Sequence, residues 1–118
     1  MDARPGESVS LMTTFDEREQ GFEAKFAHDQ DIEFRAAARR NRLLGVWAGG
    51  LMGLETSHLE DYAKAVVKSE LEQPGDEDVL RKVFEDLKGA GVQVSEGDVR
   101  LKMAEFLAVS REQIKAGG

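Results

Sequence analysis

The fold is decided by residues 57–91, SHLEDYAKAVVKSELEQPGDEDVLRKVFEDLKGAG. Apolar side chains recur there every three or four positions in two runs, and Pro74 with Gly75 separates the runs. This spacing places the apolar side chains of each run on one face of a helix, and a proline–glycine pair ends a helix. The stretch therefore predicts two amphipathic helices joined by a short turn. Their apolar faces consist of Leu59, Tyr62, Ala63, Val66, Val67 and Leu71, then Val79, Leu80, Val83, Phe84 and Leu87.

Residues that suit helix ends flank these two runs. Ser57 opens a Ser-x-x-Glu capping box and Asp76 follows the turn, so we expect them to cap the two helices. Glycines at positions 89 and 91 end the second helix, and Ser95 caps a further one. That last helix has an apolar stripe of Val99, Met103, Phe106, Leu107, Ser110 and Ile114.

A long helix is predicted upstream of these three. Thr14 and Glu17 form a capping box, and from there to about Ala48 the sequence has no proline. Glycines at positions 49, 50 and 53 end this helix. Residues 1–11 are polar, lack a helical period and are expected to be disordered.

The predicted fold class is all-α. Four helices with short connections pack as a four-helix bundle, here with a long first helix and a flexible N-terminal segment. We expect a disordered extension at residues 1–11, a partner-binding segment at residues 12–30 and the bundle at residues 31–118. No segment has the alternation of apolar and polar residues that is typical of a half-buried strand.

Composition narrows the possible functions of the chain. Its 118 residues suffice for one domain, and the absence of cysteine excludes disulfides and favours the reducing cytoplasm. The net charge of −7 argues against nucleic acid and anionic membranes as partners, and no apolar run has the length of a membrane span. His28 and His58 have neither metal-ligand spacing nor an evident nucleophile beside them. We therefore expect no enzyme activity, no metal site and no required cofactor.

An acidic arm joined to a basic block is the main feature of the charge distribution. Residues 12–34 carry seven acidic and two basic side chains, for a net charge of −5, and residues 55–78 carry eight and two, for −6. Residues 35–42 carry four arginines and no acid. This separation of charge is a more useful indication of function than the total charge.

Phe15, Phe22 and Phe26 form a phenylalanine stripe within the acidic arm. On a helix they lie within roughly 40° of one another, and their line continues to charged positions such as Arg40. Charged side chains are not expected in a core, so the stripe has no obvious partner within the chain. The later apolar face is centred roughly 70° away; it consists of Ile32, Ala36, Leu43 and Trp47.

Two interpretations of this phase difference remain open. The phenylalanines pack on the bundle after a fold-back or a bend near residues 29–31, or they insert into a groove of a partner. The second is the usual binding mode of an amphipathic helix, with its charges at the rim of the groove. A short helix without a packed face is only marginally stable in water, so such an arm becomes fully ordered on binding.

Arg35, Arg39 and Arg42 recur at i, i+4 and i+7 and form an arginine stripe opposite the later apolar face. The stripe is either a solvated surface with ion pairs to Asp31, Glu33 or a neighbouring acidic helix, or an anion site, because clustered guanidinium groups suit phosphate.

Trp47 follows the arginine stripe on the same predicted helix. It is either a core residue or a platform on which an adenine ring stacks, and with the arginine stripe it makes a candidate nucleotide-binding site. Residues 45–50 lack the lysine and serine or threonine of a phosphate-binding loop and follow a helix instead of a strand. A bound nucleotide is therefore expected to be a ligand and not a substrate.

Five blocks of sequence carry a resemblance to a known family: MTTFDERE at 12–19, EAKFAHD at 23–29, RAAARRNRLLGVWA at 35–48, YAKAVV at 62–67 and EDVLRKV at 77–83. In order and spacing they are similar to the ζ subunit of alphaproteobacterial F-type ATP synthases, an ATPase inhibitor family. The resemblance runs from residue 12 to about residue 114.

The resemblance implies a four-helix bundle whose N-terminal segment enters a catalytic α/β interface of the ATPase head beside the γ stalk. There it would block rotation in the hydrolytic direction. The implied partners are the α, β and γ subunits, the implied regulatory ligand is ADP or ATP, and the implied location is the cytoplasmic side of the inner membrane, through the synthase. We expect a monomer when the protein is free. The inhibitory segment corresponds to about residues 12–28, with candidate partner-binding residues Thr14, Phe15, Asp16, Arg18, Glu19, Phe22, Lys25 and Phe26.

Two alternatives from other classes of protein remain open on the sequence alone. One is a stand-alone helical adaptor that senses adenine nucleotides and acts on another protein. The other is a purely structural helical adaptor, which would neither bind nucleotide nor inhibit an ATPase.

Overall fold

The computed structural model describes the backbone of residues 3–72 and 74–117 and the side chains of residues 24–72 and 74–117. Over this part of the chain it contains four helices and no strand. The helices are α1 (Ala3–Leu51), α2 (Thr56–Glu72), α3 (Asp76–Gly89) and α4 (Glu96–Lys115). The predicted all-α fold with a long first helix is confirmed. The chain falls into two compact units, Met1–Ile32 and Glu33–Gly118, and the second is the helical bundle.

Helix α1 begins earlier than the sequence predicts. Its first residue is Ala3, whereas the sequence predicts disorder over residues 1–11 and a start at Thr14. Pro5 is compatible with this helix because it lies in the first turn, where a missing N–H breaks no intrahelical hydrogen bond. The structure therefore corrects the start of the helix. The assignment of separate roles to residues 1–11, 12–30 and 31–118 stays a prediction.

A glycine in the left-handed region ends α1, as the glycine cluster predicts. Gly53 has a φ of 77°. Its amide donates to the Gly50 carbonyl at 3.1 Å, and the amide of Leu54 donates to the Gly49 carbonyl at 3.0 Å. This pair of hydrogen bonds is the Schellman motif, which satisfies carbonyls that the helix end leaves open. Helix α3 ends with the same pattern at Gly91, whose φ is 81°.

The predicted cap of α4 is confirmed and that of α2 is displaced. The Ser95 hydroxyl accepts a hydrogen bond from the Asp98 amide at 3.0 Å, and the Asp98 carboxylate accepts one from the Ser95 amide at 3.0 Å. These two bonds form a complete capping box. Helix α2 begins at Thr56, so Ser57 lies inside its first turn and is not the N-cap.

Asp76 does not cap α3, contrary to the prediction. It is the first helical residue, Gly75 occupies the N-cap position, and no side chain caps this end. The Asp76 carboxylate instead accepts a hydrogen bond from the Arg40 guanidinium of α1 at 3.0 Å. The Asp76 carboxylate therefore forms a long-range ion pair with Arg40 instead of a local cap of α3.

The core lies in the second unit and draws on all four helices. Fully burying a large apolar side chain stabilises a fold by roughly 1.5–3 kcal/mol, so this cluster is the main stabilising feature of the bundle. Its buried apolar residues are Ala36, Leu44, Ala48, Ala63, Val66, Val79, Leu80, Val83, Leu87, Val99, Met103 and Ile114.

The buried face of α1 differs from the prediction. Leu44 is fully buried and Arg40 is 2% exposed, whereas Leu43 and Trp47 are only half-buried. Ala36 of the predicted face is fully buried, so the prediction is right at Ala36 and wrong at Leu43 and Trp47. The error arose because a charged residue at position 40 was taken to exclude that face from the core.

Helices α1 and α2 approach most closely at Gly45. A Cβ atom added to this glycine would lie 2.6 Å from the Ala63 Cα and 3.3 Å from a methyl group of Val66. The first of these contacts is with backbone, which cannot rotate away. Gly50, near the end of the same helix, has nothing within 4 Å of the corresponding position.

Gly45→Ala should lower the free energy of unfolding by about 1–3 kcal/mol, because the added methyl group overpacks the contact between the two helices. Gly50→Ala is the matched control, and it should raise the free energy of unfolding by up to about 1 kcal/mol, because alanine favours helix. Urea denaturation followed by circular dichroism measures both. Equal stability of the two variants would contradict the close approach.

Candidate functional site

The N-terminal arm (residues 12–30) is exposed wherever its side chains are described. Every side chain from residue 24 to residue 31 is exposed, including Lys25, and the Phe26 ring has 59% of its surface accessible. Phe26 therefore leaves apolar surface in water on a segment that also carries many charges. The other predicted partner-binding residues lie outside the described side chains; they are Thr14, Phe15, Asp16, Arg18, Glu19 and Phe22.

The bundle begins immediately after the arm, where α4 holds α1. The Arg111 guanidinium donates two hydrogen bonds to the Glu33 carboxylate at 2.8 and 2.7 Å. This two-pronged ion pair lowers the pKa of Glu33, chiefly through the hydrogen bonds. One turn and a half further on, Arg39 donates to the Gln113 side chain at 3.2 Å. The C-terminal part of α4 therefore holds the part of α1 with which the bundle begins, from Glu33 to Arg39.

The arginine stripe lines one cavity on the bundle. Arg35, Arg39 and Arg42 surround a shallow space of about 400 Å³, whose remaining walls are Phe34, Ala38 and Val67. The volume is in the range of small-ligand sites. The structure therefore brings the three predicted arginines together beside an aromatic ring and an apolar surface.

Arg42 also takes part in an ion pair with α2. Its guanidinium lies 3.9 Å from the Glu60 carboxylate, and both side chains are 57% exposed. An exposed pair at this distance contributes little to stability, so the guanidinium is available to a competing anion at small cost. The predicted ion pair with an acidic neighbouring helix is thus present, and it does not oppose ligand binding.

Trp47 is not part of this cavity, although the sequence grouped it with the arginine stripe. Its ring is half-buried and packs against the hydrophobic core. The aromatic residue at the cavity is Phe34, which is 65% exposed. Phe34 was not predicted as part of the site, because it is the last residue of the acidic segment 12–34 and precedes the arginines. Its position one helical turn before Ala38 and two before Arg42 could have placed it beside the stripe.

A second cavity of about 320 Å³ adjoins the first, between α1 and α2. Its walls are mostly apolar, and it shares Phe34, Ala38 and Val67 with the arginine-lined cavity. Leu71, like Phe34, is 65% exposed here. We call this cavity the α1–α2 groove; it is lined by Phe34, Ala37, Ala38, Val67, Glu70, Leu71, Pro74 and Gly75.

Arg40 lies inside the bundle, which the sequence did not predict. Its guanidinium donates to the Glu70 carboxylate at 3.3 Å, to the Asp76 carboxylate at 3.0 Å and to the Asn41 side chain at 3.0 Å. Asn41, itself fully buried, donates to Glu70 at 2.6 Å. A buried guanidinium is tolerated only when its charge and donors are paired in this way. The hydrogen bond to Arg40 lowers the pKa of Asp76.

Other polar clusters within the described part of the chain do not suggest catalysis. The Tyr62 hydroxyl donates to the Asp86 carboxylate at 2.8 Å, and Lys82 lies 3.2 Å from the same carboxylate. Burial and the neighbouring carboxylate raise the pKa of Tyr62, which keeps the phenol protonated. Among the described residues, no group of side chains has the composition to hold a metal ion, and none of the helices could cross a membrane.

Comparison with known proteins gives a consistent assignment. A family model described as ATPase inhibitor subunit zeta matches residues 12–113. A protein with a known solution NMR structure is 38% identical in sequence, and the two structures have a TM-score of 0.63 over 74% of this chain and 99% of that one. Among curated proteins, none matches the chain.

Arg40→Ala should destabilise the bundle by about 1–3 kcal/mol, because it leaves the buried Asn41 amide and the partly buried Glu70 carboxylate without their partner. Arg42→Ala is the control on the same helix, and it should cost less than about 1 kcal/mol because its ion pair is exposed. Urea denaturation of both variants measures the difference. A similar small loss for both would show that the Arg40 network does not hold the helices together.

Proposed function

The chain belongs to the ATPase inhibitor subunit zeta family, as its resemblance predicts, and we propose that it inhibits ATP hydrolysis by an F-type ATP synthase through its N-terminal arm. Members of this family are inhibitor subunits of an ATPase, and this supports a regulatory role for the chain. In the proposed mechanism the arm inserts as a helix into a catalytic α/β interface beside the γ stalk. A wedge there opposes rotation in the hydrolytic direction without any chemistry by the chain itself.

The exposed Phe26 ring is the observation that supports the arm as the inserting element. The bundle has a complete core without it, so burial of this ring does not contribute to folding. An apolar stripe flanked by charges gains free energy when a partner groove covers it, at about 25 cal/mol for each Å² of apolar surface removed from water. The arm thus has the chemistry of a binding element carried by an independently packed bundle.

The rest of the functional assignment follows from this mechanism as part of the proposal. The partners are the α, β and γ subunits of the catalytic head, and the protein acts at the cytoplasmic side of the inner membrane of an alphaproteobacterium through the synthase. It has no catalytic residues of its own and needs no cofactor. It is a monomer when it is not bound to the synthase.

Phe26→Ala should weaken inhibition of ATP hydrolysis by about tenfold, as truncation of an aromatic anchor does in other interfaces. Because the ring is exposed, the free energy of unfolding should change by less than about 0.5 kcal/mol. The assay measures ATPase activity of the isolated catalytic head against inhibitor concentration. Leu101→Ala, which removes an exposed leucine from α4, is the matched control and should inhibit like the parent chain.

Removal of residues 1–26 tests the same mechanism more severely. The shortened chain keeps every residue of the core and should remain a folded bundle, yet it should no longer inhibit. Full inhibition by the shortened chain would exclude the arm as the inhibitory element.

A regulatory nucleotide site at the arginine stripe is a second proposal, and the arginine-lined cavity supports it. Three guanidinium groups suit a di- or triphosphate, while Phe34 offers a face on which an adenine ring could stack. Phe34 replaces Trp47 in this assignment because Trp47 packs against the core. The cavity is shallow, so we expect weak binding that responds to changes in ADP and ATP concentration.

Titration with ADP should shift the amide resonances of residues 34–42 and of Val67, and leave those around Trp47 nearly unchanged. Replacing Arg35 and Arg42 together by glutamine should weaken ADP binding by about tenfold, since each charge-assisted contact to phosphate contributes substantially. Arg81→Gln, an exposed arginine on α3, is the control and should bind ADP like the parent chain. Shifts centred elsewhere on the bundle would exclude this site.

A further inference from the structure

We propose that the α1–α2 groove is a docking site for an amphipathic helix with one acidic edge, contributed by the catalytic head that the arm inhibits. The choice of the head as partner rests on the proposed function, whereas the chemistry of the docked helix follows from the groove itself. The bundle would then take part in binding as a second contact, separate from the arm.

The groove exposes two large apolar side chains of the bundle to water. Phe34 and Leu71 are each 65% exposed, more than any other large apolar side chain described in the second unit. They line one cavity together with Ala37, Ala38 and Val67. A lining that combines large and small apolar side chains suits a partner helix, whose own apolar side chains would fill the cavity.

The charges at the edge of the groove indicate which helix fits. The arginine stripe borders the shared wall of Phe34, Ala38 and Val67. The stripe places three arginines at this edge, in a chain of net charge −7. The acidic residue that lines the groove is Glu70, and its carboxylate is already engaged by Arg40 and Asn41. A partner helix with acidic residues along one side is therefore complementary to the groove.

The groove is preformed, because both of its sides are fixed from within the bundle. The Arg40 network joins α1 to Glu70 of α2 and to Asp76 beside Pro74 and Gly75 at the end of the groove. The close approach at Gly45 fixes the same two helices further along. A rigid receptor loses little conformational entropy on binding, so even a modest apolar contact can contribute usefully to affinity.

A second copy of the chain fits the groove less well than an acidic helix does. In a two-fold symmetric pair the same surface of each copy faces the other, so both arginine stripes would lie in one interface. Juxtaposed like charges oppose such a contact. A nucleotide in the arginine-lined cavity would also compete with the acidic edge of a docked helix for the same guanidinium groups.

Binding of the full chain to the isolated catalytic head, without nucleotide, tests the proposal. A variant with both Phe34→Ser and Leu71→Ser should raise the dissociation constant by about tenfold, since it removes the two apolar anchors of the contact. The control carries Leu101→Ser and Val109→Ser, two exposed apolar residues of α4, and should bind like the parent chain. Circular dichroism melting of both variants verifies that the fold is retained.

Charge reversal tests the acidic edge separately. Arg42→Glu should weaken binding by about fivefold and reduce its dependence on salt concentration, because one attractive charge becomes repulsive. The control Arg81→Glu, on α3, should have a smaller effect. Equal effects of the two reversals would overturn the assignment of an acidic partner helix.

The outcomes separate this proposal from the proposed function. If the groove variant binds and inhibits like the parent while Phe26→Ala loses inhibition, the groove is not a docking site and the inhibitory arm stands. If Phe26→Ala also inhibits fully, the proposed function fails by itself. If sedimentation shows that the parent chain is a dimer and the groove variant a monomer, a second copy occupies the groove and the proposal is overturned.

Discussion

The buried guanidinium of Arg40 is the interaction on which the arrangement of the bundle depends. A charge that is 2% exposed must be paired inside the protein, and the pairing groups come from α2 and from the first turn of α3. One side chain of α1 thereby fixes the positions of both following helices and of the turn that joins them. The α1–α2 groove exists because this turn is held against α1, with Pro74 and Gly75 at one end.

The sequence predicted those parts of the fold that depend on local patterns. The four helices, the glycine ends at Gly53 and Gly91 and the capping box at Ser95 are all determined by residues close in the chain. The errors at Asp76 and Arg40 have one common cause, because these two residues are partners across 36 positions. A periodic pattern cannot show that a charged residue has a buried partner, so Arg40 was assigned to the surface and the buried face of α1 was misplaced with it.

The candidate site was predictable only where its residues follow a local pattern on one helix. The i, i+4, i+7 spacing brought Arg35, Arg39 and Arg42 to one surface, and the structure places them around one cavity. Of the remaining walls, Phe34 and Ala38 lie on α1 close to these arginines, whereas Val67 comes from α2, which no spacing within α1 reveals. Trp47 was predicted either to be a core residue or to stack on an adenine ring, and its packing against the core favours the first interpretation. Whether the cavity binds nucleotide stays a prediction.

The buried apolar core lies in the unit Glu33–Gly118, and the proposed function requires that the catalytic head orders the arm. Residue-resolved hydrogen exchange of the full chain, alone and bound to the catalytic head, measures whether it does. Amides of residues 12–26 should exchange at least about a hundredfold more slowly in the complex, because insertion removes the local opening by which an unpacked helix exchanges. Amides of the core in α3 should not change. Unaltered exchange of residues 12–26 in an inhibited complex would show that the arm does not insert into the catalytic head.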